Sequence, residues 1–141
     1  MLSKEVLGLL AGKNFASLAT IMPDGTPHVT HVWIDHDLEN HILINTAIGR
    51  LKERNIRRNN KVAISIINNS NPYETASIMG VVVDTATKGA QEHFNKLSKK
   101  YINLEKYPIS NPREERAILR IKPNKIFYVS IPLSRYMNRQ E

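Results

Sequence analysis

The sequence predicts a mainly β fold with a few short helices (α+β), arranged as an antiparallel barrel. Three observations carry that expectation. Six or seven short β-type runs are joined by tight turns, only two or three stretches have helical spacing, and strand and helix do not alternate as a parallel doubly wound sheet requires. The 141 residues suit a single domain spanning 1–141, long enough to bury a core without staples.

The elements follow in order. Leu2 to Lys13 places Val6, Leu7, Leu9 and Leu10 at helical spacing, with Gly12 as a stop. Phe15–Ile21 alternates like a strand and ends at Pro23-Asp24-Gly25-Thr26, a strong turn signal. Pro27–Asp35 returns as a second strand, and His41–Thr46 completes a meander after the polar turn at His36–Asn40. From Gly49 to Asn60 charge recurs every third or fourth position, which suits a short exposed helix. Residues 61–68 are β-branched and nearly all apolar, so they predict a buried central strand. Residues 69–74 read as loop, and Thr75–Thr87 as a long strand with Gly80 marking a bulge or a close backbone approach. Lys88–Tyr101 sets Ala90, Phe94, Leu97 and Tyr101 on one helical face. Glu115–Ile131 holds two further strand runs broken at Pro123-Asn124.

Composition narrows the function. With no cysteine there is no disulfide scaffold, zinc ribbon, thiol nucleophile or iron–sulfur cluster, which fits a cytoplasmic protein. No apolar run is long enough to span a membrane. Glu5 and the lack of an A-x-A pattern make the first residues an amphipathic helix rather than a signal peptide. A net charge of +7 calls for an anionic partner.

That charge is densest in Arg50, Lys52, Arg54, Arg57, Arg58 and Lys61, opposed only by Glu53. A solvated helix face is the plain reading. However, the run directly follows Asn45-Thr46-Ala47-Ile48-Gly49, a strand-to-helix turn carrying an amide, a hydroxyl and a glycine. Free N–H groups at a helix start favour an anion, and Arg50 and Lys52 would close around it, so a phosphate site is expected here. A basic nucleic-acid-binding barrel is the rival. No aromatic residue lies between Trp33 and Tyr73 to stack a base, and no helix-turn-helix, zinc-finger or RNP signature occurs, so nucleic acid is not expected.

No functional metal is expected either. His28 and His31 lie three apart on a strand and face opposite ways, His36 and His41 flank a turn, and His93 stands alone. His31 shares its strand face with Val29 and the single tryptophan, Trp33. Nucleophile elbow, Walker loop and dinucleotide fingerprint are all absent, so no catalytic side chain is assigned. An enzyme built this way would take its reactive atom from a cofactor.

The order FASLATIMPDGTPHVTHVWID, ILINTAIGRLKERNIRRNNKVAISI, IMGVVV resembles the pyridoxamine 5′-phosphate oxidase-related flavoproteins, and most closely their small deazaflavin-dependent branch. The likeness runs from about residue 5 to 130. It is most specific in T-x-x-G-R-x-K-x-R-N (Thr46, Gly49, Arg50, Lys52, Arg54, Asn55). It implies a six-stranded split β-barrel that forms a homodimer and holds FMN or the deazaflavin coenzyme F(420) in grooves at the interface. The G-R-x-K-x-R-N stretch tilts the choice toward the deazaflavin. By resemblance, Lys52 and Arg50 bind the cofactor phosphate within the turn Gly49-Arg50-Leu51-Lys52. His31, Val32, Trp33 and Ile34 run beside the ring, Asn45 and Thr46 lie near the phosphoribityl chain, and residues 71–75, Thr75 among them, complete the site from the partner subunit. The implied activity is hydride transfer between cofactor and a small-molecule substrate; a non-catalytic flavin-binding or carrier protein is the alternative. Oxidation of pyridoxamine phosphate is a minor one, because the C-terminal Arg-x-His segment of those enzymes is missing and no histidine follows His93.

Overall fold

The computed structural model, which describes residues 1–109 and 111–137, gathers its strands into one antiparallel sheet. In chain order the elements are α1 (Lys4–Ala11), β1 (Ala16–Ile21), β2 (Pro27–Val32), β3 (Asp35–His36), β4 (Ile42–Ala47), α2 (Leu51–Arg58), β5 (Lys61–Asn68), β6 (Asn71–Ala86), α3 (Ala90–Ile102), β7 (Arg116–Ser130) and α4 (Ser134–Met137). The strand order is β2-β1-β5-β6-β7-β4-β3, and the sheet curls into a half-barrel of the split-barrel kind.

Seven strands replace the six that the resemblance implied, and the extra one has a simple origin. The segment expected as one strand, 27–35, leaves β2 after Val32, crosses Trp33 and Ile34, and pairs again only as Asp35–His36 on β4. Two further boundaries move. Residues 71–74, expected as loop, belong to β6, because the chain reverses tightly at Asn69-Ser70. The expected break at Pro123-Asn124 is absorbed into a continuous β7. A register shift there sets Gly80 of β6 against Pro123 and leaves Asn124 without a partner on β6, an irregularity of the kind at which a strand accommodates proline. The close approach expected at Gly80 is present: a Cβ on it would lie 2.4 Å from the Lys122 carbonyl oxygen.

The concave face holds the core. Alternation buries Leu18 of β1, Val62, Ile64 and Ile66 of β5, Ile78 of β6, and Leu119 and Ile121 of β7. Helix α1 closes it with Val6, Leu9 and Leu10, its first turn capped by the Ser3 hydroxyl, which accepts from the Val6 N–H. Each such aliphatic side chain contributes about 1.5–3 kcal/mol by leaving water.

The convex face is left uncovered. Ile67, Thr75 and Val129 stand abreast on β5, β6 and β7, with Ser65, Ser77 and Phe127 in the next row. Phe127 is 48% exposed and Val129 49%. The second row continues through Ser17 of β1 to His31 of β2, so this face reaches the edge of the groove described next.

Candidate functional site

A groove of about 550 Å³ opens where the end of β2, the end of β4, the start of α2, α3 and the α3–β7 connection converge. Asn45 and Thr46 stand near the end of β4 and lead into the turn at Gly49. Gly49 has φ +91°, a conformation that a side chain would strain, and this reversal puts Arg50 and Lys52 at the groove wall. Glu53, only 2% exposed, accepts the Gly49 N–H at 2.8 Å and pairs with Arg57. The chain's own carboxylate therefore takes a turn N–H that had been expected to serve an outside anion. Nor do the cations share one helical face, because Lys61 is in β5 and Arg57 is engaged with Glu53.

What remains for an anion is side-chain charge. Arg50, Lys52 and Arg116 line the groove against a single carboxylate, Glu114. Arg50 pairs with Glu114 from one side, and the Arg116 Nη1 donates to it at 3.0 Å from the other. Burial opposes ionisation of Glu114, but these two guanidinium groups hold its carboxyl below the ordinary range. Lys52 has no ion-pair partner among the described residues, and burial, then the charges of Arg50 and Arg116, lower its pKa. The three cations thus repel one another, and a bound dianion would relieve the repulsion. Thr46 adds a fourth group: its Oγ1 is buried at the groove wall without a hydrogen-bond partner. An orphaned hydroxyl among three cations fits a phosphate.

Among these charges lie aromatic rings. Trp33 stacks on Tyr101 at 5.2 Å with an interplanar angle of 4°, and meets Tyr107 edge-on at 5.9 Å. Phe94 packs against Tyr107 at 5.3 Å and carries the Arg116 guanidinium over its ring at 3.8 Å. Trp33 therefore does not share a strand face with Val29 and His31; it lies past the end of β2 and turns onto α3. The basic segment also does have aromatic neighbours, brought through space by α3 and the connection that follows it.

Beneath the groove runs a chain of buried polar groups. Asn45 Oδ1 accepts from Arg116 Nε at 2.9 Å, while its Nδ2 donates to the Ala90 carbonyl at 2.8 Å and to His93 Nδ1 at 3.1 Å. His93 Nε2 reaches Asp35 Oδ2 at 3.2 Å, and Lys96 Nζ reaches the same oxygen at 3.2 Å. Burial disfavours the Asp35 carboxylate, yet the bonds from His93 and the His36 N–H and the charge of Lys96 hold it well below the usual carboxylate range. Behind this chain the Lys100 ammonium donates to the carbonyls of Leu10 and Ile34, and burial lowers its pKa to about 8.

The structure thus brings His31, Val32, Trp33, Asn45, Thr46, Arg50 and Lys52 around one groove. Ile34 does not line it; it is fully buried behind, with its N–H donated to the Tyr101 hydroxyl. Gly49 and Leu51 shape the turn without lining the groove, and Thr75 stands on the convex face, outside this chain's own groove. The sequence reading missed Arg116 and Glu114, because nothing marks a strand's opening residues as opposite Ala47 of β4. No group of three potential metal ligands occurs among the described residues, and none of their helices is long and apolar enough to cross a membrane.

Comparison with known proteins agrees with this geometry. The family model described as pyridoxamine 5′-phosphate oxidase matches residues 2–130. The chain belongs to that family. Within the pyridoxamine 5′-phosphate oxidase fold, a solved structure named as an F(420) reductase is 28% identical, with 89% of this chain and 98% of that one covered and a TM-score of 0.77. A conserved hypothetical protein from Mycobacterium tuberculosis is 20% identical, covering 92% and 86%, with a TM-score of 0.68. General Stress Protein 26 from Bacillus anthracis is 15% identical, covering 89% and 92%, with a TM-score of 0.64. The last two share the fold alone. Comparison with curated proteins returns no match.

Proposed function

We propose that this protein is a homodimeric oxidoreductase that holds a phosphorylated flavin or deazaflavin in the groove and passes a hydride between it and a small substrate. The observation that carries the reading is the joint lining of the groove: Lys52, Arg50, Arg116 and the unpartnered Thr46 hydroxyl together with the rings of Trp33, Phe94 and Tyr107. A cofactor with a phosphate tail and a flat ring matches both kinds of lining. Family membership and the likeness to the F(420) reductase support the redox class, and the 28% identity favours the deazaflavin.

When bound, such a cofactor would supply the ring atom that accepts or donates the hydride. The chain's own residues do the rest. Lys52 and Arg116 would bind the phosphate, with Arg50 shared between it and Glu114. Thr46 would donate its hydroxyl to a phosphoryl oxygen. Trp33, Phe94 and Tyr107 form an apolar wall that excludes water from the ring, and the backbone of Val32 and Trp33 flanks it. Glu114 is held ionised by two arginines and is a poor proton donor, so a proton would come from substrate or solvent. The second copy would cover the convex face, and its Thr75 would then contribute to the groove from the partner side.

The test is direct. Purified protein incubated with FMN or with F(420) should retain one of them through gel filtration with a perturbed absorption spectrum. Reduction of that complex followed by a panel of hydride acceptors should show turnover. Retention without transfer to any acceptor would indicate a carrier, and no retention of either would refute the reading.

A further inference from the structure

The buried chain below the groove has a geometry that the phosphate reading does not require. Asn45 is its pivot. Its amide orientation is settled by its partners, since Ala90 offers a carbonyl and Arg116 an N–H, so Nδ2 must be the end facing His93. His93 Nδ1 is therefore an acceptor and its proton sits on Nε2, facing the ionised Asp35. Both the His93 and the Arg116 side chains are only 8% exposed. Sheet register makes the link possible: Arg116 stands opposite Ala47, two residues from Asn45 on the same face of β4.

We propose that His93, kept in one tautomer by Asp35, is a positioning residue that locks the Asn45 amide and through it aims the Arg116 guanidinium into the groove. Arg116 then has three constraints: Nε on Asn45, Nη1 on Glu114 and its face on Phe94. Without the His93 acceptor, one Asn45 Nδ2 hydrogen loses its partner, and the amide is held only by the Ala90 carbonyl and by Arg116 itself. The Nε bond loosens, and Arg116 is left with Glu114 and the Phe94 face. The effect on ligand should be confined to the anionic part, because His93 does not line the groove. This inference rests on the phosphate reading only for its consequence for binding; the positioning itself can be read without ligand.

Two isosteres separate positioning from bulk support. His93→Asn keeps an acceptor near the Nδ1 position and can still bond Asn45. His93→Gln places its amide near the Nε2 position, keeps the Asp35 contact and loses Asn45. The expected result is that both fold, that His93→Gln weakens FMN about five- to tenfold with riboflavin unchanged, and that His93→Asn stays near wild type. In an Arg116→Ala background, His93→Gln should cost nothing further. The ligand-free readout is solvent exchange of the Arg116 Nε–H by NMR, slow in wild type and His93→Asn and fast in His93→Gln. Unchanged exchange in His93→Gln would overturn the inference even where Lys52→Ala still weakens FMN. Faster exchange with FMN insensitive to Lys52→Ala and Arg116→Ala alike would keep the positioning and refute the phosphate reading.

Discussion

Lys52 is half-buried, unpaired among the described residues and pressed by two arginines, so its charge costs stability unless something answers it. A purely solvated lysine would change stability by no more than ~0.5 kcal/mol on truncation and leave ligands alone. A phosphate contact is worth roughly 1.5–3 kcal/mol, so Lys52→Ala should weaken FMN about 10- to 150-fold by calorimetry. Riboflavin, which lacks the phosphate, should bind Lys52→Ala and wild type alike, and the exposed Arg54→Ala should leave both ligands unchanged. An equal loss for both flavins would move Lys52 from the phosphate to the ring pocket or the fold. Lys100 and Tyr101 give a pH signature of their own. Burial lowers the Lys100 ammonium from 10.5 to about 8, so between those values the unfolded chain binds more protons and stability rises with pH. Burial raises the Tyr101 hydroxyl from 10.0 to about 12, so its contribution is complete below 10 and lost as pH climbs toward 12. Urea midpoints should therefore increase from pH 8 to 10 and fall beyond it, and a curve flat across both windows would contradict the burial of this pair.

Elements were legible where a local pattern decides them and obscure where a distant partner does. The β1–β2 hairpin followed from Pro23-Asp24-Gly25-Thr26, and the turn forms as the residues require, with Gly25 at φ +89° and the Thr26 N–H on Asp24 Oδ1 at 3.0 Å. The cationic turn after β4 could also be read from its own residues. Arg116 could not, because its place beside Asn45 depends on β7 pairing with β4 across about seventy residues of chain. Nor could β7's continuity, since β7 carries Asn124 as an extra residue beside Pro123 where its ladder with β6 shifts register. Gly80 makes that shift possible and marks where it can be broken. In Gly80→Ala the new methyl would meet the Lys122 carbonyl oxygen at 2.4 Å and Ile121 Cγ2 at 3.1 Å, with backbone on one side and core on the other. Neither yields cheaply, so the variant should lose about 2–3 kcal/mol in chemical denaturation. Gly8→Ala, with nothing within 4 Å of the new methyl and a helix around it, should be neutral or slightly stabilising.

At the scale of the whole molecule, the exposed part of the convex face over β5, β6 and β7 is the surface on which the proposed dimer rests. Ile67, Met79, Phe127 and Val129 are each at least 39% exposed on three adjacent strands, a contiguous apolar face that a monomer would leave in water. A second copy is the occupant proposed for this face, since small Ser65, Ser77 and Ser17 lie in the same row as Phe127 and permit close approach of another sheet, and a two-fold pair would bury the same patch on both sides. The row that begins at Phe127 ends at His31, on the groove's rim, so in the proposed dimer a copy covering the face would also wall the open side of the groove. Assembly and cofactor binding are therefore expected to be coupled. Phe127→Asp, which sets a carboxylate in the middle of the face, should shift sedimentation from dimer to monomer at micromolar concentration. Its effect on stability should be small, because the side chain is exposed in the single chain. Its FMN affinity should nevertheless fall along with the dimer, and raising protein concentration should restore part of it by mass action. A Phe127→Asp monomer with full affinity would mean that one chain's groove is complete. Wild-type protein that sediments as a monomer while holding cofactor would mean the same.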